Sequence, residues 1–357
     1  MRLSCYIAMG LLAMASCKPP LDRVTRLENL PVHQVTVNTS RDTTLQLPEG
    51  LKVHIPAGAL SSKNKEVKLD LMEALTIADM IKSGLTTTSN GHLLSSGGMF
   101  VILPAKGEEI KIVQPLTVEI PSSKISDGMQ IYQGVMQNGQ MNWMYPTPIV
   151  DSSITSAPQA THIEEVSHIT RTDLRTADTI SDSGKHNTAT EVENSTAPKM
   201  TYNTIRISNF GWKDIDVETH NLAAAKACKL SVSLTQPADS FIHIFLIIPD
   251  YRILSTGRLS GDGKSCGFYD IDSNLHLPMN KSAYIIATGE TGSKFYFGST
   301  AFVTDEHLDL KLDVKESDPK VYEETIAKIC ADKGLAAEGK VKNDPAPLLK
   351  PADNAVN

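Results

Sequence analysis

The chain is poor in aromatic residues, which fill 5% of its 357 positions, and it holds only two tryptophans. It is also short of basic charge: 34 Lys and Arg stand against 41 Asp and Glu, a net charge of -7 at pH 7. A nucleic-acid partner needs a basic face, so that class is excluded, and so is adhesion to an anionic lipid surface by charge alone. No apolar run beyond residue 17 reaches the ~20 residues of a membrane-spanning helix. The longest, 242–249, reads as a buried strand. Cysteine is scarce as well, limited to Cys5, Cys17, Cys228, Cys266 and Cys330. What the chain does have is aliphatic bulk. A hydrophobic content of 41% suffices for a core, and the length suits two domains at ~150 residues each.

The first residues carry a distinct pattern. Arg2 supplies positive charge, residues 3–15 are mostly apolar, and Ala13-Met14-Ala15-Ser16-Cys17 follows, then Lys18-Pro19-Pro20. A charged start, a short apolar run and small residues at the cut are the features of a secretory signal. Cleavage between Ser16 and Cys17 is expected, with lipid attached to the Cys17 thiol. The pattern resembles the bacterial lipobox, with Met14 where leucine is commonest. It implies a chain tethered to a membrane outside the cytoplasm; which membrane and face the residues leave open, and the outer membrane is expected only from the family resemblance given below. Cys5 leaves with the signal. In an oxidising compartment the remaining cysteines can pair. Cys228 with Cys266 is the expected disulfide, since both fall in one predicted domain; three buried thiols are the alternative.

The pattern along the chain predicts an all-β protein: two β-sandwich domains joined by a long polar linker, with one short C-terminal helix. The expected divisions are a signal over 1–16, a lipid-anchored stem over 17–41, and a first sandwich over 42–146. A Ser/Thr-rich disordered linker over 147–200 and a second sandwich over 201–316 follow, then a helix over 317–334 and a disordered tail over 335–357. Residues 66–71 alternate strictly, with Val67, Leu69 and Leu71 on one face. Residues 76–83 suit a short helix stopped by Gly84. Asn138-Gly139 between two alternating runs signals a hairpin. Residues 241–248 are nearly all apolar, as a strand covered on both faces would be.

Two stretches resemble a known family. Ile55-Pro56-Ala57-Gly58-Ala59-Leu60, a strand ending at Glu73, and Gly97-Gly98-Met99 are similar to the ZU-type β-sandwich domain of ankyrins, netrin receptors and tight-junction scaffolds. They are closer still to its relatives in secreted bacterial lipoproteins. Phe210-Gly211-Trp212-Lys213-Asp214-Ile215-Asp216 resembles an element that opens the second domain of those lipoproteins, with Asp214-Ile215 in place of Asn-Cys. The resemblance covers about 42–145 and, more loosely, 200–315. It implies a fold and an envelope location, not a reaction. Some members cleave themselves at His-Phe-Ser; here His243-Ile244-Phe245 lacks the hydroxyl, so self-cleavage is rejected.

Motifs for chemistry mostly fail. Gly263-Lys264-Ser265 has Arg258 where a phosphate loop needs glycine, and reads as a hairpin turn. His162, Glu164, Glu165 and His168 lack metal-site spacing and fall in the linker. Ser62 and Lys65 match Ser-x-x-Lys without its companion motifs. Met136, Met141 and Met144 offer thioethers to copper(I), but methionine more often fills a core. No metal or cofactor is expected. Trp143, Tyr145 and Trp212 are candidates for stacking on a sugar, with burial in the sandwich core as the alternative. The expected function is a non-catalytic, lipid-anchored envelope protein acting as a binding or assembly module. Its partners are the membrane through the anchor and an envelope protein or glycan. The competing reading is a glycan-binding or hydrolytic enzyme whose site is built from scattered residues.

Overall fold

The computed structural model describes residues 25–122, 128–137, 140–149, 201–239, 241–268 and 275–331. The signal, Ser16, Cys17, most of the expected linker, the C-terminal tail and the Asn138-Gly139 turn lie outside them. Among the described residues no helix is long and apolar enough to cross a membrane.

Among the described residues the protein is mostly β-strand with two α-helices. The first strands are β1 (His33–Asn38), β2 (Thr43–Gln46), β3 (Lys52–Ile55), β4 (Leu60–Ser61) and β5 (Glu66–Ala74). Helix α1 (Ile77–Ser83) follows. Then come β6 (Thr88–Ser89), β7 (His92–Pro104), β8 (Lys111–Ile112), β9 (Leu116–Ser122), β10 (Gln130–Gln137) and β11 (Gln140–Pro148). Past residue 200 run β12 (Thr201–Ile207), β13 (Gly211–Glu218), β14 (Ala225–Leu234), β15 (His243–Ile248), β16 (Ile253–Thr256) and β17 (Arg258–Leu259). The last are β18 (Ser265–Gly267), β19 (Leu275–Pro278), β20 (Ser282–Thr291), β21 (Lys294–Val303), β22 (His307–Leu312) and β23 (Lys315–Glu316), then helix α2 (Pro319–Ala331).

These strands make four main sheets. The first has the order β1-β5-β7-β13-β10-β11, and the second β12-β9-β3-β2. The third is β16-β15-β20-β21-β23, and the fourth β17-β18-β14-β19 with β22 parallel to β14. Val67, Leu69 and Leu71 of the first sheet meet Val53, Val118 and Ile205 of the second in one apolar cluster. Ile244, Leu246 and Ile248 of the third meet Val232, Leu277 and Leu312 of the fourth in another. A third cluster joins the outer faces of sheets one and three, with both helices contributing. It gathers Met99, Val101 and Trp143, then Phe245, Ile247 and Phe297, and Met80, Tyr322 and Ile329. Sheets one and three are therefore covered on both faces. Residues 244–248 alternate between two cores, which is why the sequence there is apolar without a period. Fully burying each such side chain contributes about 1.5–3 kcal/mol.

Three expected boundaries are corrected by this pairing. The segment after residue 200 does not begin a second sandwich. Strand β12 pairs with β9 along Thr201↔Ser122 to Ile207↔Leu116, and β13 lies between β7 and β10 in the middle of sheet one. Both complete the first sandwich across the intervening segment. That sandwich also begins earlier than residue 42, because β1 pairs with β5 from His33 onward. Strand β11 extends to Pro148, into the stretch assigned to the linker.

Local chemistry explains the other elements. Thr76 caps α1 through a reciprocal capping box with Asp79, and Gly84 ends it in the left-handed conformation at φ 69°. Strands β10 and β11 pair through Met136↔Met141 and Gln137↔Gln140, leaving Asn138 and Gly139 as their connection. Helix α2 spans 319–331 inside the expected 317–334, and buries Tyr322, Ile326 and Ile329.

Candidate functional site

Polar groups converge where β13 crosses beneath the second pair of sheets. Six successive residues of β13, from Trp212 to Val217, are buried, among them Lys213, Asp214 and Asp216. Opposite them, β7 carries a bulge. Asp214 faces Met99 and Asp216 faces Ser96, so two residues of β7, Gly97 and Gly98, stand against Ile215 alone. Glycine is needed at both. A Cβ on Gly97 would come within 2.9 Å of the Ile215 carbonyl, and Gly98 adopts φ +136°. The Gly-Gly pair is thus a backbone device.

The bulge shapes a buried carboxyl pair. Asp214 and Asp216 are both 0% exposed. The Ser96 hydroxyl donates to Asp214 Oδ1 at 2.7 Å and accepts from the Gly98 amide at 3.0 Å. Burial pushes the Asp214 carboxyl up to about 6, opposed by hydrogen bonds from Asp216, Ser96 and Ile215 and by the Arg252 charge. Asp216 is pushed well above the ordinary carboxylate range, first by burial and then by the charge of Asp214. Asp216 is accordingly the stronger holder of a proton, and Asp214 Oδ2 and both Asp216 oxygens are buried without a hydrogen-bond partner among the described residues. Arg252 reaches in from the turn after β15, its Nη1 donating to the Gly97 carbonyl at 2.8 Å. Tyr132 is buried beside the pair, its hydroxyl held protonated by burial and by the charges of Glu218, Asp216 and Asp214. Lys213 is also buried, and loss of water brings its ammonium down to about 8.

Further hydrogen bonds cross between the first sheet and the third. Ser95 Oγ donates to the Tyr251 carbonyl at 2.8 Å, and the Thr87 amide donates to the Leu254 carbonyl at 2.7 Å. At the solvent end of β13, Glu218 Oε2 lies 3.2 Å from His220 Nε2. The His220 ring stands 6.3 Å from that of His92 and 6.4 Å from that of His276, both edge-on.

Two adjoining clefts open elsewhere, about 280 and 460 Å³ in volume. Thr25, Arg26 and His243 line both. The smaller adds Thr288 and Glu290, the larger Met136, Gln140 and Met141. Neither reaches the carboxyl pair.

Several sequence expectations are corrected here. Trp143 is wholly buried, its Nε1 donating to the Thr86 carbonyl at 2.7 Å, and Trp212 is buried too. Tyr145 is 65% exposed, so the three rings do not form a stacking row. Alternation on one strand face put them together; the core between sheets one and three separates them. Cys228 and Cys266 are free buried thiols. Cys266 sits opposite Val232, four residues along β14 from Cys228. That spacing is ~13 Å at strand rise, beyond the ~7 Å a disulfide spans between Cα atoms. Gly263-Lys264-Ser265 lies in the β17–β18 hairpin, as its turn reading required. Met136 is exposed while Met141 is buried, so the methionines share no single environment.

Sequence reasoning missed Asp214, Asp216, Ser96 and Arg252, and the imidazoles of His92, His220 and His276. The alternation Asp214-x-Asp216-x-Glu218-x-His220 was a usable signal: polar groups every second residue mark one face of a strand. No local signal linked it to β7, Arg252 or β19. None of the protein-family models compared with the chain matches it, and no curated protein is significantly similar.

Proposed function

We propose that the chain is a lipid-anchored envelope protein that acts as a non-catalytic binding or assembly module. The observation that supports this most is the placement of Asp214 and Asp216. Paired carboxyls with separated proton affinities are the group best suited here to acid–base chemistry. They are wholly enclosed between sheets, where no substrate reaches them. Asp214 accepts from Ser96, whose hydroxyl in turn accepts from the bulge amide of Gly98, and Arg252 grips the bulge from the second sandwich. The seam thus specifies how two sandwiches pack, a task for a scaffold. The antiparallel sandwich of sheets one and two suits a ZU-type domain, and the resemblance over 42–145 is part of this reading. The clefts beside Arg26 and His243 are where an envelope protein or glycan would find mixed polar and apolar contacts.

The anchor rests on Ala15-Ser16-Cys17. Expression of the Cys17→Ala chain, followed by cell fractionation and labelling with a lipid precursor, tests it. Loss of label together with a shift from the membrane to the soluble fraction is expected. A variant that still pellets with carbonate-washed membranes would sink the lipoprotein reading.

A further inference from the structure

We propose that His92, Glu218 and His220 form a binding site for a divalent transition cation of the zinc type, with His276 beside it to complete the ligand set. The donor atoms of His92, Glu218 and His220 all lie within 4.8 Å of one another. The Glu218 carboxylate and the His220 imidazole are already 3.2 Å apart. Zinc binds nitrogen and oxygen donors at ~2.0–2.2 Å, so tetrahedral donors sit roughly 3.4 Å from each other. Closing from 4.8 Å takes side-chain torsions, with no movement of the strands.

Sheet register produces the convergence. Strands β7 and β13 run antiparallel with Glu218 opposite Leu94. The ladder ends at that pair, and His92 begins β7, its ring 6.3 Å from that of His220. Glu218 ends β13, and His220 follows in a short 3-10 turn over Thr219–Asn221. Thr219 between them is fully buried and pins that turn. His276 comes from β19 in the fourth sheet, its ring 6.4 Å from His220.

The donor set selects the ion. Two or three imidazoles with one carboxylate favour zinc, cobalt, nickel or copper over calcium and magnesium, which prefer an all-oxygen shell. Glu218 and His220 are partly open to solvent, so the cation has a way in. A metal held here would tie β7 and β13 of the first sandwich to β19 of the second. It would act as a clamp on the junction that the Arg252 contact already spans.

Cobalt(II) titration of the full chain in mild detergent tests the site. Saturation at one equivalent is expected, with visible bands of a four-coordinate nitrogen–oxygen site and no thiolate charge-transfer band from the cysteines. Zinc should displace the cobalt and raise Tm. His220→Ala should abolish the visible bands and the zinc-induced rise in Tm, while Glu218→Gln should weaken binding at least ~10-fold. His307→Ala, at an exposed position on β22, should bind as the parent does. His276→Ala, if it leaves cobalt affinity unchanged, removes His276 from the site. The proposal is overturned if the folded parent shows no saturable binding, or if His220→Ala retains it.

Discussion

Strands β13 and β15 are both interior strands of their sheets, each covered on both faces, yet they are built from opposite materials. In β15 the residues after His243 are Ile244, Phe245, Leu246, Ile247 and Ile248, and all five are buried in apolar cores. In β13, Lys213, Asp214 and Asp216 take comparable positions. Apolar burial is non-directional and tolerates any well-packed neighbour. Ionisable groups in the same setting must find specific partners or change protonation. The polar strand therefore demands the β7 bulge, the Ser96 hydroxyl, a raised proton affinity at both carboxyls and the approach of Arg252. One strand supplies stability; the other restricts which neighbour can sit beside it.

The largest expected effect sharpens that contrast. Leu246→Ala should lower stability by about 3 kcal/mol, since the enclosed site cannot collapse around the lost volume. Asp216→Asn keeps the shape and replaces a carboxyl whose proton burial holds tightly, so it should cost much less than Leu246→Ala. Urea unfolding followed by circular dichroism compares the two. Equal losses would break the contrast.

A smaller effect lies in the pH profile. Asp214 and Asp216 have folded-state affinities for protons above the unfolded ones, so the folded chain holds extra protons above the ordinary 3.8. Their contribution is fully present below that value and declines as pH rises, for Asp214 through about 6, by up to ~1.4 kcal/mol per pH unit for each excess proton. Lys213 has the opposite sign. Its affinity is lowered to about 8, so the cost of its burial persists below pH 8 and fades as pH climbs from there towards 10.5. Asp214→Asn with Asp216→Asn should flatten the acid-side decline and leave the alkaline recovery intact. An unchanged slope between pH 4 and 6 would contradict the buried pair.

The smallest effect concerns the cysteines. Burial pushes the Cys228 thiol up to about 11 and the Cys266 thiol to about 12. Dithiothreitol should leave Tm unchanged, and both thiols should resist alkylation until the chain is unfolded. A drop in Tm under reduction would show that a disulfide contributes after all.

Much of the fold was legible because it is written in local periodicity. Alternation at Val67, Leu69 and Leu71, the unbroken apolar run of β15, the short helix stopped by Gly84 and the Asn138-Gly139 signal each reflect a rule acting within a dozen residues. The carboxyl pair was visible in part, as acidic residues at alternate positions of β13. Its meaning was not, because the partners Ser96 and Arg252 lie more than 30 residues away on either side. The aromatic residues misled for the same reason: Trp143 and Tyr145 share a strand, but only one faces the core that sheet three provides.

The residues by themselves determined an all-β chain, the strands with clear apolar alternation, a short helix over 76–83, a C-terminal helix and the hairpin turn at Gly263, since these follow from side-chain period and backbone sterics. Tertiary structure alone decided that β12 and β13 return to the first sandwich, that sheets one and three share a core, and that His92, Glu218, His220 and His276 meet. Those outcomes depend on pairing between distant segments, where the balance of buried area and satisfied polar groups over the whole chain selects the partner.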